Sequence, residues 1–116
     1  MFKDRLTVDD LELLRQIPPE LLVRVQMSDG PATPTLHDYK DDCLRHRLPP
    51  GDGDFDVDGF VNAVLDLGYT GPWDLEVCND DVWGQTPDAH AAGAAAGMRR
   101  VLERVRHSRM MEGKAI

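Results

Sequence analysis

Two side chains able to hold a metal sit where short apolar runs break into polar sequence. Gln26 lies in Val23-Arg24-Val25-Gln26-Met27-Ser28-Asp29-Gly30, and Glu76 in Trp73-Asp74-Leu75-Glu76-Val77-Cys78-Asn79-Asp80. Both runs read as strands, and in α/β folds the chemistry gathers at the carboxyl ends of the strands. A lone carboxylate buried in an apolar strand is costly unless it is paired, protonated or bound to metal, so Glu76 demands a partner. An ion pair with an arginine would also satisfy it, and Gln26 alone could be an ordinary buried amide held by hydrogen bonds. Arg24 and Asp74 each precede these residues by two positions and share their faces, so they are expected to pair if the two strands are neighbours. Asp29 either caps the following loop or holds a metal ligand in place. Cys78 shares the face of Glu76 but reads as packing, and His37 and His46 read as surface residues.

The elements that must position these residues follow from the pattern. Thr7 caps a short helix with acids in its first turn and Leu11, Leu13 and Leu14 on its apolar face; Pro18-Pro19 ends it. Leu21 to Met27 reads as a strand with Leu21, Val23, Val25 and Met27 on one face. Residues 28–53 form a long Pro/Gly-punctuated loop, with a short helix expected within it from His37 to Leu44; a structureless loop of that length is usually functional or partly disordered. Asp56 caps a helix through Leu67, with Val57, Phe60, Val61, Val64 and Leu65 in one stripe and Gly68 as its stop. Trp73 to Cys78 is the second strand, with Trp73 and Tyr69 packing on its helix-facing side. Thr86 and Pro87 open a last long helix whose buried face is expected to be Ala91, Ala95, Met98, Leu102 and Val105. Its end is expected to fray from about Ser108.

Helix, strand, helix, strand, helix is the order of parallel βα units. Two strands are too few for a stable sheet, so further strands or a second copy are required, and self-association is one route. The chain has 116 residues and a net charge of −8, which leaves no basic stripe for nucleic acid. The arginines near the C-terminus read as a solvated helix face. No apolar run reaches membrane-spanning length, and Met1-Phe2-Lys3-Asp4-Arg5 opens no secretory leader; two cysteines without a CxxC fit a reducing cytoplasmic setting. Gly51-Asp52-Gly53-Asp54 lacks the terminal Glu of an EF-hand, and no P-loop, Rossmann fingerprint or nucleophile elbow is present.

Val25-Gln26-Met27-Ser28-Asp29, then Arg47-Leu48-Pro49-Pro50-Gly51-Asp52-Gly53-Asp54, then Phe60 with Gly68-Tyr69-Thr70-Gly71-Pro72, then Leu75-Glu76-Val77, resembles the C-terminal part of sugar phosphate isomerases/epimerases. These are xylose isomerase-like TIM barrels. The likeness runs from about Thr7 to about Val105 and covers the last two strands of the family's barrel. It implies an α/β fold made of the C-terminal βα units of such a barrel: two parallel strands with three main helices, residues 1–108, and a flexible tail at 109–116. It also implies a divalent metal held by four side chains, the last two at Gln26 and Glu76. The other two, on earlier strands, have no counterpart here, so the isolated chain is expected to be inactive. Gln in place of the commoner His resembles the 3-dehydroshikimate-dehydratase branch and favours Mn²⁺ or Mg²⁺ over Zn²⁺. Arg47 would anchor an anionic or hydroxylated substrate, a small sugar or hydroxy acid, through its fork of donors. Glu76 would double as the base in metal-assisted proton abstraction next to a carbonyl. Isomerisation, epimerisation and dehydration share that step. A non-catalytic remnant or interaction module is the alternative; a DNA-repair endonuclease of the same superfamily fits the acidic charge poorly.

Overall fold

The computed structural model describes residues 7–116. The first six residues of the expected 1–108 domain, where no secretory leader was expected, lie outside the described residues. The elements, in chain order, are α1 (Val8–Leu14), β1 (Val25–Met27), α2 (Tyr39–Arg45), α3 (Val57–Asp66), β2 (Trp73–Leu75) and α4 (Pro87–Met111), with 3₁₀ turns at Pro19–Leu21 and Asp80–Val82. Local chemistry sets the helix starts. Thr7 and Asp10 form a reciprocal capping box on α1; Asp38, Asp56 and Thr86 accept from the first-turn amides of α2, α3 and α4. The long helix starts on Pro87, whose missing N–H is no loss there.

β1 and β2 pair in parallel, Val25 with Trp73, Gln26 with Asp74 and Met27 with Leu75. The crossover between them carries α3, the right place for a βαβ unit. One face of this ribbon is apolar: Val25 and Met27 pack with Val57, Val61 and Val64 of α3, and with Met98, Val101 and Val105 of α4. Trp73 stacks edge-on against buried Tyr69, centroids 5.7 Å apart, and the Tyr69 hydroxyl donates to the Pro72 carbonyl at 2.6 Å. The opposite face carries Arg24, Gln26, Asp74 and Glu76, because side chains alternate along each strand. Arg24 and Asp74 form the expected ion pair across the two strands.

Both strands are shorter than their apolar runs. β1 starts only at Val25, and Leu21 and Val23 are 67% and 83% exposed, not part of a buried face. Pro18-Pro19 turns the chain into a 3₁₀ segment just before, and among the described residues no neighbouring strand reaches that far back to pair with it. β2 ends at Leu75, although the Glu76 amide still donates to the Met27 carbonyl at 3.1 Å.

α4 departs from its sequence pattern in two ways. Its buried stripe runs through Ala94, Gly97, Met98, Val101 and Val105, leaving Ala91 exposed. Gly97 sets this rotation: it faces the Pro49-Pro50 backbone, and a Cβ there would lie 2.7 Å from the Pro50 carbonyl oxygen. The helix also continues to Met111 instead of fraying from Ser108. Arg109, only 3% exposed, anchors this end by donating to Asp66 at 2.8 Å, to Asn62 at 3.1 Å and to the Ala115 carbonyl at 2.6 Å. Burial opposes the charge on Asp66, but the donors of Arg109 and Arg15 outweigh it and hold its carboxyl below the usual carboxylate range. No helix among the described residues is long and apolar enough to cross a membrane.

Two glycines on α4 test this packing. Gly97→Ala is expected to destabilise the chain by about 1–2 kcal/mol, because overpacking against rigid backbone exceeds the helix-propensity gain. Gly93→Ala, where a Cβ meets nothing within 4 Å, is expected to stabilise by about 0.5–1 kcal/mol. Urea unfolding of both variants checks the contrast; equal effects would mean that α4 does not dock through Gly97.

Candidate active site

The carboxyl ends of β1 and β2 are organised by the loop that follows each strand. Asp29, the second residue beyond β1, is fully buried. Its backbone pairs with Leu48 in both directions, at 2.8 and 2.9 Å. Its carboxylate accepts three main-chain N–H groups: Gly30 at 2.8 Å and Phe55 at 3.0 Å on Oδ1, and Gly51 at 2.9 Å on Oδ2. A buried charge is tolerable when so fully solvated by amide dipoles. Gly53 packs against this cluster so closely that a Cβ would stand 2.6 Å from the Gly30 carbonyl oxygen. The Pro-Pro-Gly-Asp-Gly sequence is therefore a turn folded around one aspartate. Of the two roles expected for Asp29, the loop cap is the one its contacts show.

Arg47 sits between the two strand ends. Its amide donates to the Cys78 carbonyl at 2.9 Å, and Asn79 Nδ2 donates to the Arg47 carbonyl at 2.9 Å. The side chain is 6% exposed. Its guanidinium pairs with buried Asp42 of α2 at 3.4 Å, donates to Cys43 Sγ at 2.8 Å and lies 5.3 Å from the centroid of the Phe55 ring. Asp42 is held in turn by the Thr35 amide at 3.2 Å.

A cleft of about 430 Å³ opens at the end of β1, lined by Gln26, Ser28, Arg47, Asp54, Asp56 and the rings of Phe55 and Phe60, among others. Gln26 and Arg47 thus share one cavity. Glu76 lies on the same sheet face as Gln26 but outside the cleft lining, and both are exposed. The demand for a buried partner at Glu76 is relieved by that exposure, since the polar face of the two strands has nothing covering it among the described residues. His37 is exposed, and Cys43 and Cys78 are free, half-buried thiols. His46 pairs with the Thr35 hydroxyl in a second, smaller cleft away from Gln26.

As a metal-binding set, Gln26 and Glu76 fit in chemistry: two oxygen donors on one face, at adjacent strand ends, suit a hard divalent cation. They are two donors only. Among the described residues no group of three or more His, Cys, Asp or Glu side chains is placed to hold a metal.

No protein-family model matches the chain. Among solved structures, a xylose isomerase-like TIM barrel/4-hydroxyphenylpyruvate dioxygenase fusion protein superposes with a TM-score of 0.71 at 32% identity, over 92% of this chain and 17% of that one. The chain is part of a xylose isomerase-like TIM barrel. The IolI protein, solved with a bound zinc atom, shares the fold at a TM-score of 0.70 and 19% identity, over 82% of this chain and 33% of that one. In sequence, the partial barrel is 34% identical over 93 residues to a 3-dehydroshikimate dehydratase of Pseudomonas putida, and 36% identical over 89 residues to one of Pseudomonas aeruginosa. Those stretches cover 80% and 77% of this chain but only 14% and 13% of the relatives' length. The α/β fold of two parallel strands stands as expected, with α2 added to the three main helices.

Sequence reasoning singled out Gln26, Glu76 and Asp29 at the strand endings and Arg47 in the loop between the strands, but missed Asp42, Asn79 and Phe55. Asp42 lies in the long polar segment and Phe55 two residues beyond it, where no periodicity marks burial. Asn79 carries a signal in hindsight: it follows an apolar strand and caps the 3₁₀ turn behind it.

Asp29→Ala is expected to cost about 3 kcal/mol or more, because three buried amides lose their acceptor. Asp52→Asn, at an exposed carboxylate that pairs with exposed Arg100, is expected to stay within about 0.5 kcal/mol. Chemical denaturation separates the two; an Asp29 effect under about 1 kcal/mol would remove it as the organiser of the loop.

Proposed function

We propose that this chain contributes to a metal-dependent lyase of the 3-dehydroshikimate-dehydratase type, within the wider isomerase/epimerase-like chemistry of proton abstraction next to a carbonyl. The observation that carries the reading is the placement of Gln26 and Glu76 on one face of a parallel strand pair, in a chain a third identical to 3-dehydroshikimate dehydratases over most of its length. In this reading Gln26 and Glu76 are two of the donors to a Mn²⁺ or Mg²⁺ ion, and the others come from strands beyond these two. Bound there, the ion would polarise substrate oxygens and favour loss of the proton beside the carbonyl. The chain's own residues do the rest. Glu76 is exposed on the open face, where a carboxylate can receive a proton. Arg47 presents a fixed fork to a carboxylate or hydroxyl of a small substrate. Asp29 keeps the loop in place beneath both. A cytoplasmic setting and a small hydroxylated substrate belong to the same proposal.

The exposed polar face and the missing donors favour a second reading for these residues by themselves: a partial scaffold with no turnover of its own until further strands cover that face. The two readings separate in one assay. With the native protein, Glu76→Gln is expected to lower kcat for dehydration of 3-dehydroshikimate at least about hundredfold, while Arg47→Lys is expected mainly to raise KM, about tenfold. Native protein with no Mn²⁺- or Mg²⁺-dependent turnover, or a Glu76→Gln variant with full activity, would contradict the catalytic reading.

A further inference from the structure

We infer that Asn79 is the positioning residue for the end of β2 and, through it, for Glu76. This rests on the reading of Gln26 and Glu76 as donors to one ion, and adds what keeps their two strand ends at a fixed separation. β1 and β2 pair over three residues only, with one further main-chain bond from the Glu76 amide to the Met27 carbonyl. Beyond these residues a third segment, residues 46–48, joins the two exits. Leu48 bonds the Asp29 backbone in both directions, at 2.8 and 2.9 Å, which ties the segment to the end of β1. His46 forms an antiparallel bridge with Asn79, and the Arg47 amide donates to the Cys78 carbonyl at 2.9 Å, which ties it to the end of β2. Three consecutive residues thus make a crosspiece between the strand exits.

Those links are main-chain bonds that almost any residue could make. Asn79 adds one that depends on its side chain. It is 8% exposed, and its Nδ2 donates to the Arg47 carbonyl at 2.9 Å while its Oδ1 accepts from the Asp81 amide at 2.7 Å. One amide group therefore fastens the crosspiece with its donor and starts the 3₁₀ turn after β2 with its acceptor. Asparagine carries both functions on one short arm; aspartate has only acceptors, and serine is a bond shorter. Glu76 stands three residues before this clamp, and Gln26 three residues before Asp29, where the crosspiece meets β1. The clamp thereby sets where the two donors stand relative to each other. Donors hold an ion well only when the contacts behind them keep them in place. Asn79 acts through Glu76 and makes no bond to an ion itself.

The test is NMR of the isotopically labelled 116-residue chain, with Mn²⁺ as the probe and no substrate. Before any metal is added, the Asn79 Nδ2 protons are expected to exchange with water about tenfold or more slowly than those of exposed Gln85. Exchange as fast as that of Gln85 would overturn the inference without need of any variant. Asn79→Ser keeps a cap for the turn but does not reach the Arg47 carbonyl. It is expected to raise about fivefold the Mn²⁺ concentration that half-broadens the Gln26 and Glu76 amide signals. Asp66→Ala breaks the ion pairs of Asp66 with Arg15 and Arg109 at the end of α3 that leads into β2, opposite the strand exits. It is expected to lower stability and leave that concentration unchanged. Unchanged Mn²⁺ binding in Asn79→Ser, or equal weakening in Asp66→Ala, would overturn the positioning role and leave the two donors standing. An unaltered chain with no broadening at Gln26 and Glu76 would remove the donor reading and this inference with it.

Discussion

One buried carboxylate organises this structure. Asp29 enters the interior with its charge and is stabilised there by three main-chain amides drawn from two segments. That constraint fixes the path of residues 47–55: Leu48 pairs with the Asp29 backbone, the Gly51-Gly53 turn closes over the carboxylate, and Phe55 is delivered to the flank of Arg47. The same turn presents the Pro49-Pro50 backbone to Gly97, so the loop that shapes the cleft also seats the last helix. A loop this polar could not be buried without its donors and acceptors being matched one by one. Loop order and helix docking are therefore not separable properties in this chain.

The two-faced strand pair carries the functional argument. Its apolar side is covered by α3 and α4 in the ordinary manner of a βα unit. Its other side holds Arg24, Gln26, Asp74 and Glu76, a polar set that a parallel barrel would enclose and that stands open here. The Arg24–Asp74 pair links the two strands, and Gln26 and Glu76 lie nearer the strand ends where barrel chemistry gathers. The parallel strand pair, the TM-scores near 0.7 and the identity to 3-dehydroshikimate dehydratases converge on a partial xylose isomerase-like barrel, and the metal-donor role of Gln26 and Glu76 belongs to the proposal built on it.

Much of the fold was legible because it is written in local rules. Thr7, Asp56 and Thr86 cap the helices they were expected to cap, and the α3 stripe of Val57, Val61 and Val64 packs on the strands. The Arg24–Asp74 pair was legible from alternation alone. What escaped depends on contacts distant in sequence. The α4 stripe is rotated because Gly97 touches Pro50, and glycine carries no hydrophobic signal. The helix outlasts its expected end because Arg109 finds Asp66, and a basic residue near a terminus reads as solvated surface. Leu21 and Val23 look like a strand by composition, but a strand exists only where a neighbour pairs with it. Within the site, Arg47 was found but not its surroundings: Asp42 lies on a seven-residue helix too short to show a period, and Phe55 lies in irregular backbone.

The assignment of Gln26 and Glu76 to a single ion is tested most directly by Mn²⁺ titration of the isotopically labelled chain, read as paramagnetic broadening of backbone amide signals. Broadening senses weak binding, so two donors suffice for the measurement. The account predicts that broadening centres on Gln26 and Glu76 at the ends of β1 and β2, and disappears when Gln26→Ala and Glu76→Gln are combined. Broadening centred instead on exposed acids such as Asp80 and Asp81, or unchanged in the double variant, would contradict it.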